Sequence, residues 1–232
     1  VREQHPDLGL STSVAAVTAA LEAIGRDLPP SMTRDEAWRQ LARINPLLAD
    51  GHLAITLTDW RADTAAHRAA GGVLFPFDVA FDPQGRLVID AALGGAASPL
   101  AGARIVAIDG VPVGTLVASL AARVHGDTPA MRMALLAQRW WLYHWKTLGA
   151  AQQYRLVIER DGQRSEVAVP GSTDQPRMLQ DEVDIARLYR LDTVPGCSAV
   201  LTVNAFDSAH LADFVAFTQA AFTRMQQEHI RH

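Results

Sequence analysis

Three tight-turn signals within residues 72–171 restrict this fold more than any other feature: Asp82-Pro83-Gln84-Gly85, Asp109-Gly110 and Asp161-Gly162. Asp-Gly pairs readily take the positive φ angles of two-residue hairpin loops, so strands flanking them must fold back antiparallel. Apolar or alternating runs stand beside each signal: 73–81 and 87–91 around the first, 105–108 before the second, 154–159 and 165–169 around the third. The pattern predicts a small, mostly antiparallel β domain. Two helical patterns interrupt it, at 115–124 and 129–148, and the longer aligns Met133, Leu136, Trp140 and Tyr143 on one face. Trp140, Trp141 and Trp145 make that helix aromatic, which favours a core or a seam between domains over a ligand platform.

The segment before the turns has a different period. Val14, Val17, Leu21 and Ile24 recur at helical spacing behind the capping residues Ser11, Thr12 and Ser13, predicting a helix over 12–25. Thr33 and Glu36 form a capping-box pattern ahead of Ala37, Leu41, Ile44 and Leu48, predicting a second helix with a kink at Pro46. Beyond Asp50-Gly51-His52 the period changes to two, with Leu53, Ile55 and Leu57 on one face, predicting a strand. His52 therefore sits at a corner, where a side chain can project into a cleft. After the β domain, the polar stretch 172–180 reads as a linker. A strand over 199–203 and an amphipathic helix through Leu211, Phe214, Val215, Thr218, Phe222 and Met225 then resemble the opening of a βαβ unit. The fold class is α+β, divided at 1–71, 72–171 and 172–232.

Composition excludes several functions. The 232 residues carry a net charge of −4 with Lys and Arg dispersed, so no phosphate-binding surface and no nucleic-acid partner is expected. No run approaches the ~18 apolar residues needed to span a bilayer. The single Cys197 rules out an internal disulfide framework and leaves the redox compartment open. The chain starts with Val1 and stops at His232 inside a helical pattern, and so reads as a fragment.

No complete catalytic signature is present, neither a Gly-x-Ser-x-Gly elbow nor a Walker loop, a dinucleotide fingerprint or a His-Glu-x-x-His pair. No motif calls for a cofactor. His229 and His232, three apart, could contribute to a metal site only with a third ligand, and a solvated chain end is the simpler reading. Cys197 has no His near it in sequence and reads as incidental. Asp181, Glu182 and Asp184 read as a solvated loop or helix start. His52 reads either as a corner histidine bonded to local backbone or as a catalytic base.

Three ordered stretches bear on that choice. His5-Pro6-Asp7-Leu8 before a capped helix, Asp50-Gly51-His52 closing the second helix, and the run from Gly102 to Val113 together resemble the tail-specific, or carboxyl-terminal processing, serine peptidases. The resemblance implies a helical N-terminal part, a PDZ-like domain over 72–171, and the first strand and helix of an α/β core. It implies a serine endopeptidase acting on polypeptides, with His52 as general base in the tricorn-like branch and a purely structural His52 in the serine/lysine branch. The nucleophilic serine would lie after His232, so the fragment alone would be inactive. The family also implies an exported bacterial enzyme, and its retinoid-binding relatives supply an alternative, a non-catalytic protein that binds a hydrophobic ligand or a peptide. Two departures stand out: Ala103 replaces the usual Asp after the Gly, and the 129–148 helix interrupts the β domain. Both weaken the expectation of peptide-terminus capture in the usual PDZ groove. No pattern in the sequence bears on oligomeric state.

Overall fold

The computed structural model describes Gly9 and residues 12–194, 196–206 and 208–231. The His5-Pro6-Asp7-Leu8 motif, Ser11 and His232 lie outside the described residues. The chain forms two compact units, Val1–Pro176 and Arg177–His232, with an α+β architecture.

In the first unit, helix α1 (Val14–Asp27) starts on Ser13, whose side chain accepts the Ala16 N–H at 3.2 Å. It runs two residues past Gly25 and ends at Leu28, because the residue before a proline is pushed out of the helical region. Helix α2 (Arg34–Leu41) opens on the complete capping box: Thr33 Oγ1 accepts the Glu36 N–H and Glu36 Oε2 accepts the Thr33 N–H. Those bonds hold the Glu36 carboxyl below its usual range. The predicted kink is a 3-10 turn, Ala42–Ile44, followed by the short helix α3 (Asn45–Leu48), where Pro46 occupies the first turn. A proline is tolerated there because the first-turn N–H groups have no intrahelical acceptor.

The strand expected over 53–57 does not form. The segment joins no sheet, and a side chain takes the part of a neighbouring strand. Asn45, 1% exposed, accepts the Ile55 N–H at 2.7 Å and donates to the Ile55 carbonyl at 3.0 Å, with a further bond to the Arg123 carbonyl at 2.8 Å. Helix α4 (Trp60–Ala69) follows, unannounced in the sequence because its only buried residue is Thr64.

The hairpins form as expected. Strands β1 (Phe77–Phe81), β2 (Leu87–Ala92), β3 (Arg104–Ile108), β5 (Gln153–Arg160) and β6 (Gln163–Pro170) make an antiparallel sheet in the order β1-β2-β3-β5-β6, and the short β4 (Val111–Pro112) pairs with β3. Asp109 and Gly110 adopt φ of 49° and 80°, Asp161 and Gly162 52° and 75°, the left-handed pairs that such turns require. Leu87, Ile89, Ile105 and Leu156 fill the core beneath the sheet.

Helix α5 (Val113–Ala121) matches the first interrupting pattern, but the second is two helices, α6 (Pro129–Gln138) and α7 (Trp140–Leu148). Arg139 leaves the helical region at φ −116°, ψ 23°, and its carbonyl accepts N–H groups from both Leu142 and Tyr143. Helix α7 is buried nearly all round, with Trp140 and Trp141 each 1% exposed, so its aromatic run belongs to the core. Phe75 joins this core with ring centroids 6.1 Å from Trp140 and 5.3 Å from Tyr154.

The stretch expected to be a linker is partly ordered. Ser172 pairs with Leu74 through two backbone bonds, and Arg177–Asp181 forms helix α8. In the second unit a short helix α9 (Ile185–Leu188) leads into strand β7 (Tyr189–Val194), which pairs antiparallel with β8 (Ser198–Val203) before helix α10 (Leu211–Gln227). Strand β8 and α10 are the expected elements; β7 was not anticipated. Tyr189 stacks on Phe217 at 5.6 Å to join hairpin and helix. Among the described residues, no helix is long and apolar enough to cross a membrane.

Candidate functional site

The corner at Asp50-Gly51-His52 is built by local chain geometry. Ala49 ends α3 in the left-handed conformation, φ 47°, which turns the backbone sharply. Asp50 Oδ1 then accepts the His52 N–H at 2.6 Å, a side-chain-to-backbone turn that Asp favours. The same oxygen lies 3.8 Å from His52 Nδ1, an ion-pair distance longer than a hydrogen bond. The imidazole is fully exposed.

A second carboxylate holds the corner from a distant part of the chain. Asp127, between α5 and α6, accepts the Gly51 N–H at 2.5 Å. A Cβ at residue 51 would meet Met131 Cε at 3.2 Å and the Asp127 carboxylate at 3.4 Å, so this close approach favours glycine. The corner therefore presents an imidazole to solvent, with one carboxylate near Nδ1 and the backbone beneath it fixed. That arrangement leaves Nε2 open to solvent.

The other sequence candidates are not brought to this corner. His229 lies in the turn after α10 at φ 52°, so it is not on the helix as expected. Among the described residues, no group of three His, Cys, Asp or Glu side chains could hold a metal. Cys197 is exposed in the β7–β8 turn, where its N–H bonds the Val194 carbonyl. Asp184 caps α9 by accepting the Ala186 N–H, and Arg187 pairs with Asp181 and Asp184. Ala103 is completely buried, so an aspartate there would need a partner inside the sheet.

Two cavities in the first unit were not apparent from the sequence. One, of about 220 Å³, lies among Ile108, Asp109, Leu116, His144, Leu148 and Tyr154. Burial pushes the His144 imidazole down to about 4, against opposing pulls from the Asp109 charge and the Gly149 backbone, so it is neutral near pH 7. The other, of about 50 Å³, lies among Trp38, Leu57, Trp60, His125, Arg139 and Tyr143. His125 is lowered by burial and by the Arg139 charge, and the Tyr143 phenol is raised by burial.

No protein-family model matches the chain, and no curated protein sequence matches it. Among solved structures it is similar to a point mutant of CPAF, at 17% identity and TM-score 0.47. It is also similar to mature CPAF complexed with lactacystin, at 16% and 0.46, and to mature CPAF, at 19% and 0.46. Each match covers 71% of this chain but only 29% to 30% of the other, so the chain spans less than a third of their length.

Proposed function

We propose that the chain is the front part of a serine endopeptidase of the tail-specific kind, with His52 as its general base. The observation that carries this reading is the exposed imidazole of His52, with Asp50 Oδ1 3.8 Å from Nδ1 on a corner fastened through Gly51 to Asp127. A serine hydroxyl is a weak nucleophile until a neighbouring base removes its proton, and a carboxylate beside the far ring nitrogen stabilises the imidazolium that results. In this reading residues 1–71 carry the base and 72–171 form a PDZ-like unit that presents or regulates access of polypeptide substrate. Residues 172–232 begin the core, and the nucleophilic serine is supplied by sequence after His232.

The second unit offers separate support. Val200, Leu201, Leu211 and Phe222 are exposed on β8 and α10, and a lone two-stranded hairpin is marginal by itself. Further strands laid beside the hairpin would pair its free edges, and elements packed on its faces and on α10 would bury these side chains. The family resemblance adds that the enzyme is exported.

A fluorophosphonate serine probe tests the proposal. It should label the protein expressed from its whole gene at one serine beyond residue 232 and leave the 232-residue chain unlabelled. Stoichiometric labelling of a serine within the 232 residues would overturn it.

A further inference from the structure

The two edges of the sheet in the first unit differ in how they are protected. Strand β1 carries a bulge at Asp78/Val79 and has helix α6 packed against it, and both features discourage a strand edge from pairing further. Strand β6 has neither. Its eight residues, Gln163–Pro170, pair with β5 in unbroken register, and β5 is the only described element packed closely along it. Gln163, Arg164, Ser165 and Glu166 are all exposed.

The hairpin turn decides which backbone groups this edge offers. Asp161 and Gly162 form a two-residue turn, so Arg160 and Gln163 exchange hydrogen bonds across it, and the odd-numbered residues of β6 bond toward β5 in the same way. The N–H and C=O groups of Arg164, Glu166 and Ala168 therefore point away from β5, into the open edge. Arg164 and Glu166 stand on one face of the strand, either side of Ser165. This arrangement complements itself: a second β6 running antiparallel sets Arg164 opposite the partner's Glu166 and Glu166 opposite the partner's Arg164, and each pair exchanges both of its backbone bonds.

The charges select that register. Within one copy, Glu159 accepts from both Arg104, at 3.1 Å, and Arg164, at 3.0 Å, which leaves two cations on one carboxylate. Glu166 has no ion pair and no side-chain hydrogen bond with any described residue, and the partner's Glu166 would balance the surplus cation. Sliding one strand by a single two-residue repeat places Glu166 against Glu166 or Arg164 against Arg164, like-charge pairs that oppose association. A further repeat toward Pro170 sets its ring, which has no N–H, against the partner's Arg164 carbonyl.

We infer that the free edge of β6 is a surface for homodimerisation, on which a second copy of this chain adds its own β6 antiparallel about Ser165. The contact is isologous, the same strand serving on both copies, and joins the two sheets into one. It does not depend on His52 or on any serine.

Sedimentation equilibrium of the 232-residue protein tests the inference. The wild type should pass from monomer to dimer over roughly 10–500 μM, the range of a small interface. Glu166→Arg leaves every described side-chain contact within one copy intact but sets arginine opposite arginine, and should weaken association about tenfold or more; Arg164→Glu should do the same. Mixed in equal amounts the two variants are complementary, so they should form a heterodimer with near wild-type affinity although neither pairs with itself. A wild type that stays monomeric over the whole range overturns the inference. Undiminished association of Glu166→Arg also overturns it, placing the contact elsewhere, as does a folded mixture that fails to associate. Because Arg164→Glu breaks the bond to Glu159 as well, a thermal melt accompanies it, and if that variant does not fold, Glu166→Arg alone decides.

Discussion

The carboxylate of Asp127 accepts the backbone N–H of Gly51 at 2.5 Å across 76 residues of sequence, tying the loop before α6 to the corner that bears His52. This contact fixes the backbone under the candidate base, because among the described residues His52 itself is held by Asp50 alone. Asp127→Ala should cost about 1–2 kcal/mol, the range for a hydrogen bond to a charged acceptor near the surface. Hydrogen exchange is the direct check: the Gly51 amide should lose protection in the variant while β-sheet amides keep theirs. Unchanged Gly51 protection would mean that the corner is held by something else.

Asn45 carries a larger load. Its amide makes three bonds, two to Ile55 and one to Arg123, and it is buried. Asn45→Ala strips the Asn45 partner from the Ile55 N–H and the Arg123 carbonyl, while the Ile55 carbonyl keeps Trp38 Nε1 at 3.3 Å, and should destabilise by roughly 2–3 kcal/mol, since each unsatisfied buried group costs about 1–3 kcal/mol and water reaches some of them. Asn45→Asp keeps the acceptor for Ile55 N–H but loses both donors, so it should fall between wild type and alanine in a denaturant melt. An alanine variant as stable as wild type would refute the accounting.

The same residue shows why part of the fold was legible and part was not. The hairpins around Asp82-Pro83-Gln84-Gly85, Asp109-Gly110 and Asp161-Gly162 were readable because turn chemistry is local: the residues that need positive φ are those in the turn. The capping box of Thr33 and Glu36 was readable for the same reason. Residues 53–57 have strand periodicity, but strand formation requires a partner backbone, and Asn45 took that place. Helix α4 was hidden because its one buried residue is Thr64, leaving no apolar stripe. The break at Arg139 interrupts a run whose helical period continues on both sides. His52 could be picked out by its position at a corner, whereas Asp127 reaches that corner only through tertiary folding and shares no spacing with it.

His144 makes stability depend on pH in a defined window. Its folded value is depressed to about 4 from an ordinary 6.5, chiefly by burial against Phe75, Trp140 and Tyr154. Above pH 6.5 the ring is neutral in both folded and unfolded chains and has no effect. As pH falls from 6.5 toward 4 only the unfolded chain takes up the proton, so stability declines, by roughly 3 kcal/mol over the window. His144→Phe should remove that part of the pH dependence while conserving much of the packing. Parallel pH curves for wild type and variant would show that His144 does not titrate in this way.

Lys146 is a buried cation that is fully paired. It is 5% exposed, with Nζ 2.8 Å from both Asp35 and Asp63, and Asp63 also pairs with Arg34. The Arg34 bond first, then the Lys146 bond, hold the Asp63 carboxyl below its usual range. Lys146→Met should cost about 2–3 kcal/mol, toward the low end for breaking a buried pair, because both carboxylates retain solvent and Arg34 remains. Adding Asp35→Asn should recover part of the loss, giving a favourable coupling in a double-mutant cycle. Strictly additive losses would show that Lys146 and Asp35 do not interact.

The central claim rests on His52, and the most direct measurement is the cleavage of an unfolded polypeptide by the protein expressed from its whole gene, wild type against His52→Ala. Loss of a general base should lower the rate about 100-fold or more, with Asp50→Asn giving a smaller loss through the same imidazole. The far side of the result is equally clear: wild type and His52→Ala cleaving at the same rate would leave His52 as a structural corner residue and contradict the account.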